Sequence, residues 1–134
     1  MSETEQLFVY GTLRPPRPGA RAEHSRFYPA LAPYVLSATP ARIEDAALYD
    51  LGVFPGARPG DGTVHGDLLK VRPEALDLTD QIEGHPRLFR RRRLTVQTEA
   101  GAVVAWIYWA PRDLVADAPR IVEGDWFKHD LRFS

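Results

Sequence analysis

The stretch LFVYGTL at residues 7–13 decides the fold, because a run of strand-forming residues ends there at a glycine. Residues 7–10 are apolar or aromatic, and a short run of this kind is typical of a buried strand. Gly11 lacks a Cβ, so the chain can turn sharply and approach another molecule closely. The N–H groups of Gly11, Thr12 and Leu13 leave the strand together, and successive free N–H groups in a turn form a concave anion site. The same spacing also fits an ordinary buried strand that ends in a turn.

The composition is that of an ordinary globular protein. The chain has 134 residues, of which 44% are apolar and 26% are charged. This length predicts one domain over residues 1–134, with a core of its own. The net charge of -1 gives no overall field that favours nucleic acid or an acidic membrane surface. The absence of cysteine excludes disulfides, thiolate metal sites and cysteine nucleophiles.

No targeting or membrane segment is predicted. Residues 1–6 are polar and acidic, unlike a signal peptide. No apolar run approaches the roughly 18 residues that a membrane helix needs. We therefore expect a cytoplasmic protein without a membrane partner, as a monomer or a small homo-oligomer.

The rest of the sequence predicts several strands and few long helices, since twelve prolines and ten glycines break the chain often. Residues 41–50 and 64–71 are predicted strands, with a turn-rich tip at residues 58–62 before the second one. Residues 88–98 and 102–109 are predicted to form a hairpin. This order predicts an α+β domain rich in antiparallel strands, and a curled or barrel-like sheet would leave no exposed edges.

One helix is predicted over residues 73–82. Pro73 suits the first helical position, and Gly84 suits the cap at the other end. Glu83 then lies at the C-terminal end of the helix, where the dipole disfavours its charged form. Burial would also raise the pKa of its carboxyl, as a group that takes and returns a proton requires. A solvated surface Glu beside a capping glycine fits the same position.

An arginine run at residues 90–93 suggests nucleic-acid binding, but strand geometry divides it. Alternate side chains of a strand point to opposite faces, so Arg90 and Arg92 share one face, and Arg91 and Arg93 share the other. No array of stacking aromatics accompanies the run, so nucleic acid is not an expected partner. The four histidines lack ligand spacing, and no phosphate-binding loop is present, so we expect neither a metal nor a cofactor.

Two motifs together resemble a known family. Residues 7–14 resemble the N-terminal signature of the γ-glutamylcyclotransferase-like family, which includes AIG2-like and γ-glutamylamine cyclotransferase proteins. Residues 76–86, followed by residues 89–91, are similar to its second signature. Residues 64–69 resemble the strand before the helix, and residues 105–108 the late strand. The likeness covers nearly the whole chain, in the family's order.

The resemblance implies a fold, a reaction and a site. The fold is a small mixed, mostly antiparallel β-barrel with flanking helices and a cavity at one end. The backbone amides of Tyr10, Gly11, Thr12 and Leu13 would hold the α-carboxylate of a γ-glutamyl substrate. Glu83 would be the acid/base while the substrate closes to 5-oxoproline and releases an amine. This reaction requires no metal, nucleotide or cysteine.

Two departures from the family pattern leave the amine open. Phe89 stands where members often have tyrosine, and the loop at residues 15–19 is expected to shape the cavity mouth. A free amino acid, a glutathione-like peptide, a polyamine or an ε-lysine all remain candidates. Two other readings also remain: a non-enzymatic module that binds an amino-acid-like ligand in the same cavity, and a nucleic-acid binder.

Overall fold

The computed structural model describes residues 3–129 and shows a closed barrel of five strands. The strands are β1 (Glu5–Val9), β2 (Val35–Asp50), β3 (Pro55–Val71), β4 (Arg90–Thr98) and β5 (Gly101–Trp109). Their order around the barrel is β1-β3-β2-β4-β5, and β5 closes it by pairing with β1. β5 runs parallel to β1 and β3, while the other pairs are antiparallel. The predicted fold class is therefore confirmed.

The helices outside the barrel are short. They are α1 (Tyr28–Leu31), α2 (Ala75–Glu83) and α3 (Arg112–Val115), with 3₁₀ turns at Ala22–Ser25, Ala32–Tyr34 and Trp126–Lys128. Prolines in the segment before β2 keep its helices to about one turn, because proline breaks the helix ladder. None of the helices within residues 3–129 is long and apolar enough to cross a bilayer.

The long β2–β3 hairpin corrects one prediction. Residues 58–62 were expected to form a turn-rich tip, but they lie inside β3. The turn instead connects the paired residues Asp50 and Pro55. Ala46 of β2 pairs with two residues of β3 in this region, so the register shifts at a β-bulge. A bulge lets a strand carry residues that are typical of turns, and composition alone does not reveal this.

Helix α2 begins later than predicted and ends where expected. Pro73 is not the first helical residue, because the N–H of Ala75 donates to the carbonyl of Arg72 in a turn that precedes the helix. Gly84 caps the other end with φ 68°, a left-handed conformation that suits glycine. Glu83 is therefore the last helical residue. The hairpin that follows also starts later, since β4 begins at Arg90.

Alternate residues of β1 contribute to two cores. Phe8 and Tyr10 pack in one apolar cluster, with side chains from all the other strands. Leu7 and Val9 lie in a second cluster, which includes the buried face of α2. This alternation is that of a strand covered on both faces. It fixes the end of β1 between the barrel interior and the helix that carries Glu83.

Candidate active site

A cavity of about 200 Å³ lies where β1 and α2 end. Tyr10, Gly11, Thr12 and Leu13 line it, and Glu83 lines it as well. The structure thus brings together all five site residues that the sequence analysis named. The rest of the lining is largely apolar and includes Phe8, Phe27, Phe54, Ile82, Leu88 and Phe89. A small apolar cavity with few polar groups is the usual form of a site for a small molecule.

The turn after β1 offers a set of backbone donors. The carbonyl of Gly11 accepts from the N–H of Arg14 at 3.0 Å, which closes the turn. The carbonyl of Thr12 accepts from the N–H of Phe27, also at 3.0 Å. Within residues 3–129, the N–H groups of Gly11, Thr12 and Leu13 donate to no backbone carbonyl. Three such donors on the wall of one cavity form a site that suits a carboxylate.

Gly11 is required for a reason other than the expected one. It does not have a positive φ. A Cβ at this position would lie 2.6 Å from Cγ and 2.8 Å from Cδ of Pro55. Pro55 also lines the cavity. The absence of a Cβ at Gly11 therefore lets the turn pack against the start of β3, and this packing positions the backbone amides of the turn.

Arg14 holds the turn from inside the protein. Its side chain is 1% exposed, and it donates from Nε to Asp67 at 2.9 Å and from Nη1 to Asp125 at 3.0 Å. The guanidinium also lies 3.9 Å from the centre of the Phe127 ring, in a cation–π contact. A buried arginine is tolerated only with such partners. The residue that follows the amide turn is thus tied to β3 and to the segment after β5.

Tyr10 serves the structure of the cavity wall. Its hydroxyl donates to the carbonyl of Tyr108 at 2.6 Å and accepts from the N–H of Ala57 at 3.1 Å. Burial, together with the charge of Glu83, raises the pKa of the Tyr10 hydroxyl well above its ordinary value. The hydroxyl therefore stays protonated and links β1 to β3 and β5.

Glu83 has the electrostatics that the sequence analysis expected. Burial raises the pKa of its carboxyl from 4.5 to about 7. No lysine, arginine or histidine within residues 3–129 forms an ion pair with it. The residue still keeps part of its surface open to the cavity. A carboxyl with this pKa is present in both protonation states near neutral pH, so it can accept a proton and return it.

A hydrogen-bonded network fixes the end of α2 against the hairpin. Asp80 accepts from Nε of Arg91 at 2.7 Å and from its Nη2 at 3.0 Å. The Tyr108 hydroxyl lies 2.5 Å from the Asp80 carboxylate and 2.7 Å from the Thr79 hydroxyl. Burial opposes ionisation of Asp80, but the hydrogen bonds from Arg91 and Tyr108 hold its pKa below the usual value. This network orients the last helical turn, and hence Glu83.

One charged residue of the cavity was not predicted from the sequence. Arg26 lines the cavity and is exposed. The hydrogen bond between Phe27 and Thr12 brings its segment to the amide turn. That segment has neither periodicity nor a motif, so the sequence contained no signal for it. Arg26 and Glu83 are the charged residues of the lining within the described part of the chain.

The cavity mouth differs from the prediction. Residues 15–19 do not contribute to the lining, although they were expected to shape it. Arg17 instead pairs with the buried carboxylate of Asp67. Arg26 and Leu88 are exposed residues of the lining. Phe89, which stands in the place of a tyrosine, packs edge-on against Phe54 with ring centres 6.0 Å apart.

The structure is thus a small closed barrel with a cavity at one end, and this cavity is lined both by the amide turn after β1 and by Glu83. Residues 7–128 match the family described as "Gamma-glutamyl cyclotransferase, AIG2-like". The chain belongs to this family, and the resemblance of its two motifs is confirmed.

Relatives and solved structures agree with this assignment. YtfP of Escherichia coli (strain K12), a γ-glutamylcyclotransferase family protein, is 33% identical over 89 residues, which are 66% of this chain and 74% of YtfP. YkqA from Bacillus subtilis has a TM-score of 0.68 at 24% identity, over 92% of this chain and 40% of YkqA. This chain thus spans less than half of YkqA. An aig2-like protein from Mus musculus has a TM-score of 0.64 at 21% identity, over 97% of this chain and 99% of that one. The two structures show the shared fold.

Proposed function

We propose that the protein is an acyltransferase that cyclises a γ-glutamyl amine or peptide to 5-oxoproline and a free amine. The observation that carries the proposal is the shared cavity, where an isolated carboxyl with a pKa of about 7 accompanies a turn of unpaired amides. In this reading, the turn binds the α-carboxylate of the γ-glutamyl group. Glu83 is the acid/base. Family membership supports the same reaction class.

The chemistry takes place within one substrate molecule. The neutral α-nitrogen attacks the γ-carbonyl carbon, so a new C–N bond closes the five-membered lactam. The bond from that carbon to the leaving nitrogen then breaks. The α-nitrogen loses one proton and the leaving nitrogen gains one, and Glu83 carries it between them. Such transfer typically contributes about 10^2–10^4-fold to the rate.

The cavity assists mainly by folding the substrate. Nucleophile and carbonyl are already in one molecule, and well-oriented intramolecular reactions reach effective molarities of about 10^5–10^8 M. With the α-carboxylate on the amide turn, the chain of the substrate must bend for its γ-carbonyl to stay near Glu83. Apolar walls limit water around the carboxyl and keep its pKa high.

A turnover screen with matched variants tests the proposal. The wild type, Glu83→Gln and the control Glu99→Gln are incubated with γ-glutamyl dipeptides and γ-glutamyl amines, and 5-oxoproline is measured by mass spectrometry. Glu99 is exposed in the hairpin turn and does not line the cavity. We expect release by the wild type and the control, and none by Glu83→Gln. Full activity of Glu83→Gln would remove Glu83 from the mechanism.

The same samples separate turnover from binding alone. A compound that raises the melting temperature of the wild type, yet is recovered unchanged, would assign the cavity to a binding module. The family fold is compatible with that outcome, since a fold alone does not establish an activity.

A further inference from the structure

A second concave surface adjoins the cavity, and we name it the arginine groove. Five arginines line it: Arg93, and a group of four made of Arg58, Arg87, Arg90 and Arg92. The apolar side chains of Leu94 and Trp109 line it as well. Its volume is about 640 Å³, against about 200 Å³ for the cavity. Arg90 and Arg92 share one face of β4, as alternation requires. Arg93, which also borders the groove, places its guanidinium over Trp106.

The arginine groove carries positive charge that no carboxylate of the described part of the chain neutralises. Within residues 3–129, none of its four named arginines forms a salt bridge. Arg58 donates to the carbonyl of Ala110 at 2.8 Å, and Arg90 donates to the carbonyl of Pro86 at 3.3 Å. Among the residues that the structure describes, no Asp or Glu lines the groove. Guanidinium groups gathered without carboxylates favour an anionic ligand, although the net charge of the whole chain is only -1.

The arginine groove is a neighbour of the cavity, because Leu88 lines both. Leu88 lies in the loop between α2 and β4 and is 42% exposed. In the proposed reaction, a molecule whose γ-glutamyl end occupies the cavity would extend past Leu88 into the groove. The part that extends is the amine that leaves in the reaction.

We propose that the arginine groove binds the carboxylates of the leaving amine, and that the substrate is a γ-glutamyl compound with an acidic peptide as its amine. This inference rests on the proposed function. Guanidinium groups bind carboxylates through paired hydrogen bonds, so two or more carboxylates fit the four arginines. A polyamine would bring positive charge to a positive groove, and like charges across an interface are disfavoured.

Direct binding tests the groove without turnover. Triglutamate, a model of an acidic leaving peptide, is titrated by calorimetry into the wild type, into Arg90→Gln/Arg92→Gln and into the control Arg72→Gln. Arg72 is exposed and lines neither the cavity nor the groove. We expect binding to the wild type and the control, and about tenfold weaker binding to the double variant. Trialanine and spermidine should not bind. Equal binding to all three proteins, or none to the wild type, would overturn the proposal.

Turnover then separates this inference from the proposed function. The release of 5-oxoproline is compared for γ-glutamyl-diglutamate, γ-glutamyl-dialanine and γ-glutamyl-spermidine. We expect a lower KM for the acidic substrate than for the other two. This KM should rise with salt and in the double variant, whereas Arg72→Gln should leave it unchanged. Turnover of all three with equal KM would overturn the groove and leave the reaction standing. No turnover, with triglutamate still bound through Arg90 and Arg92, would overturn the reaction instead.

A phosphate chain is the competing occupant. A short single-stranded RNA is therefore added to the triglutamate titration. If the RNA binds more tightly than triglutamate and displaces it, and if its binding depends on Arg90 and Arg92, the groove belongs to nucleic acid and the proposal fails. Weak RNA binding that does not depend on these arginines would support the acidic peptide.

Discussion

Glu83 should make the stability of the protein depend on pH in an unusual direction. Burial raises the pKa of its carboxyl from 4.5 to about 7 in the folded state. Between these values the folded protein holds a proton that the unfolded chain releases. The free energy of unfolding that this proton contributes is fully present below about pH 4.5, and it is lost as the pH rises through about 7. Most carboxylates have the opposite effect, because ion pairs lower their pKa values.

The magnitude follows from the size of the shift. A change of one pKa unit corresponds to about 1.4 kcal/mol, so the full shift of Glu83 corresponds to about 3 kcal/mol. Most of this, about 2–3 kcal/mol, should be lost between about pH 5 and about pH 8. Glu83→Gln keeps the shape of the side chain but has no proton to lose. Its stability relative to the wild type should therefore improve by about this amount over the same range.

Urea unfolding measures this difference. Intrinsic tryptophan fluorescence reports the transition, since Trp126 is fully buried in the folded state. Curves for the wild type and Glu83→Gln are recorded at several pH values, with Glu99→Gln as a control for the loss of an exposed carboxyl. At each pH, the free energy of unfolding of Glu83→Gln is subtracted from that of the wild type. This difference cancels the contribution of the other titrating groups. If the two stability curves run parallel from about pH 5 to about pH 8, the carboxyl of Glu83 does not have a raised pKa.

Three further changes test the support of the site. Gly11→Ala should lower the free energy of unfolding by about 1–3 kcal/mol, because the added methyl group overpacks against Pro55. In urea unfolding, Pro55→Ala in the same chain should restore part of this loss, and the absence of rescue would contradict the contact. Asp80→Asn should lower kcat, and it should lower the free energy of unfolding by about 1–3 kcal/mol because it weakens the hydrogen bonds with Arg91 and Tyr108. Unchanged turnover would show that this network does not orient α2. Arg14→Met should lower the free energy of unfolding by about 3–5 kcal/mol, because it leaves buried carboxylates without their partner. Arg17→Met, at a part-exposed position, should lower it by less than about 1 kcal/mol. Equal losses would show that the buried arginine is no more important for stability than the part-exposed one.

The parts of the site that could be predicted from the sequence depend on local chemistry. The ends of the strand before Gly11 and of the helix before Gly84 are determined by neighbouring residues. The sequence therefore predicted both ends to within one or two positions. Glu83 could be singled out because it precedes the helix cap. That the two segments share one cavity followed from the family resemblance, since no local pattern specifies a contact between residues so far apart in sequence.

The parts that were missed depend on tertiary structure. Arg26 reaches the cavity through one backbone hydrogen bond from its neighbour, which no sequence pattern marks. Residues 58–62 look like a turn, but pairing with β2 absorbs them into a bulged strand. The arginine groove combines Arg58 of β3 with the run on β4, and only the barrel brings these strands to one surface. The sequence could predict that the arginines of residues 90–93 divide between two faces of β4. It could not predict that Arg58 lies beside one of these faces.

Leu88 has a consequence for how such a protein can diversify. It lines both the cavity and the arginine groove, yet it is an exposed loop residue between α2 and β4. Substitutions at exposed positions of this kind rarely change stability by more than about 0.5 kcal/mol. Selection can thus alter the boundary between the two surfaces with little risk to the barrel. If the proposed reaction holds, the range of amines can change at a position on which neither folding nor proton transfer depends.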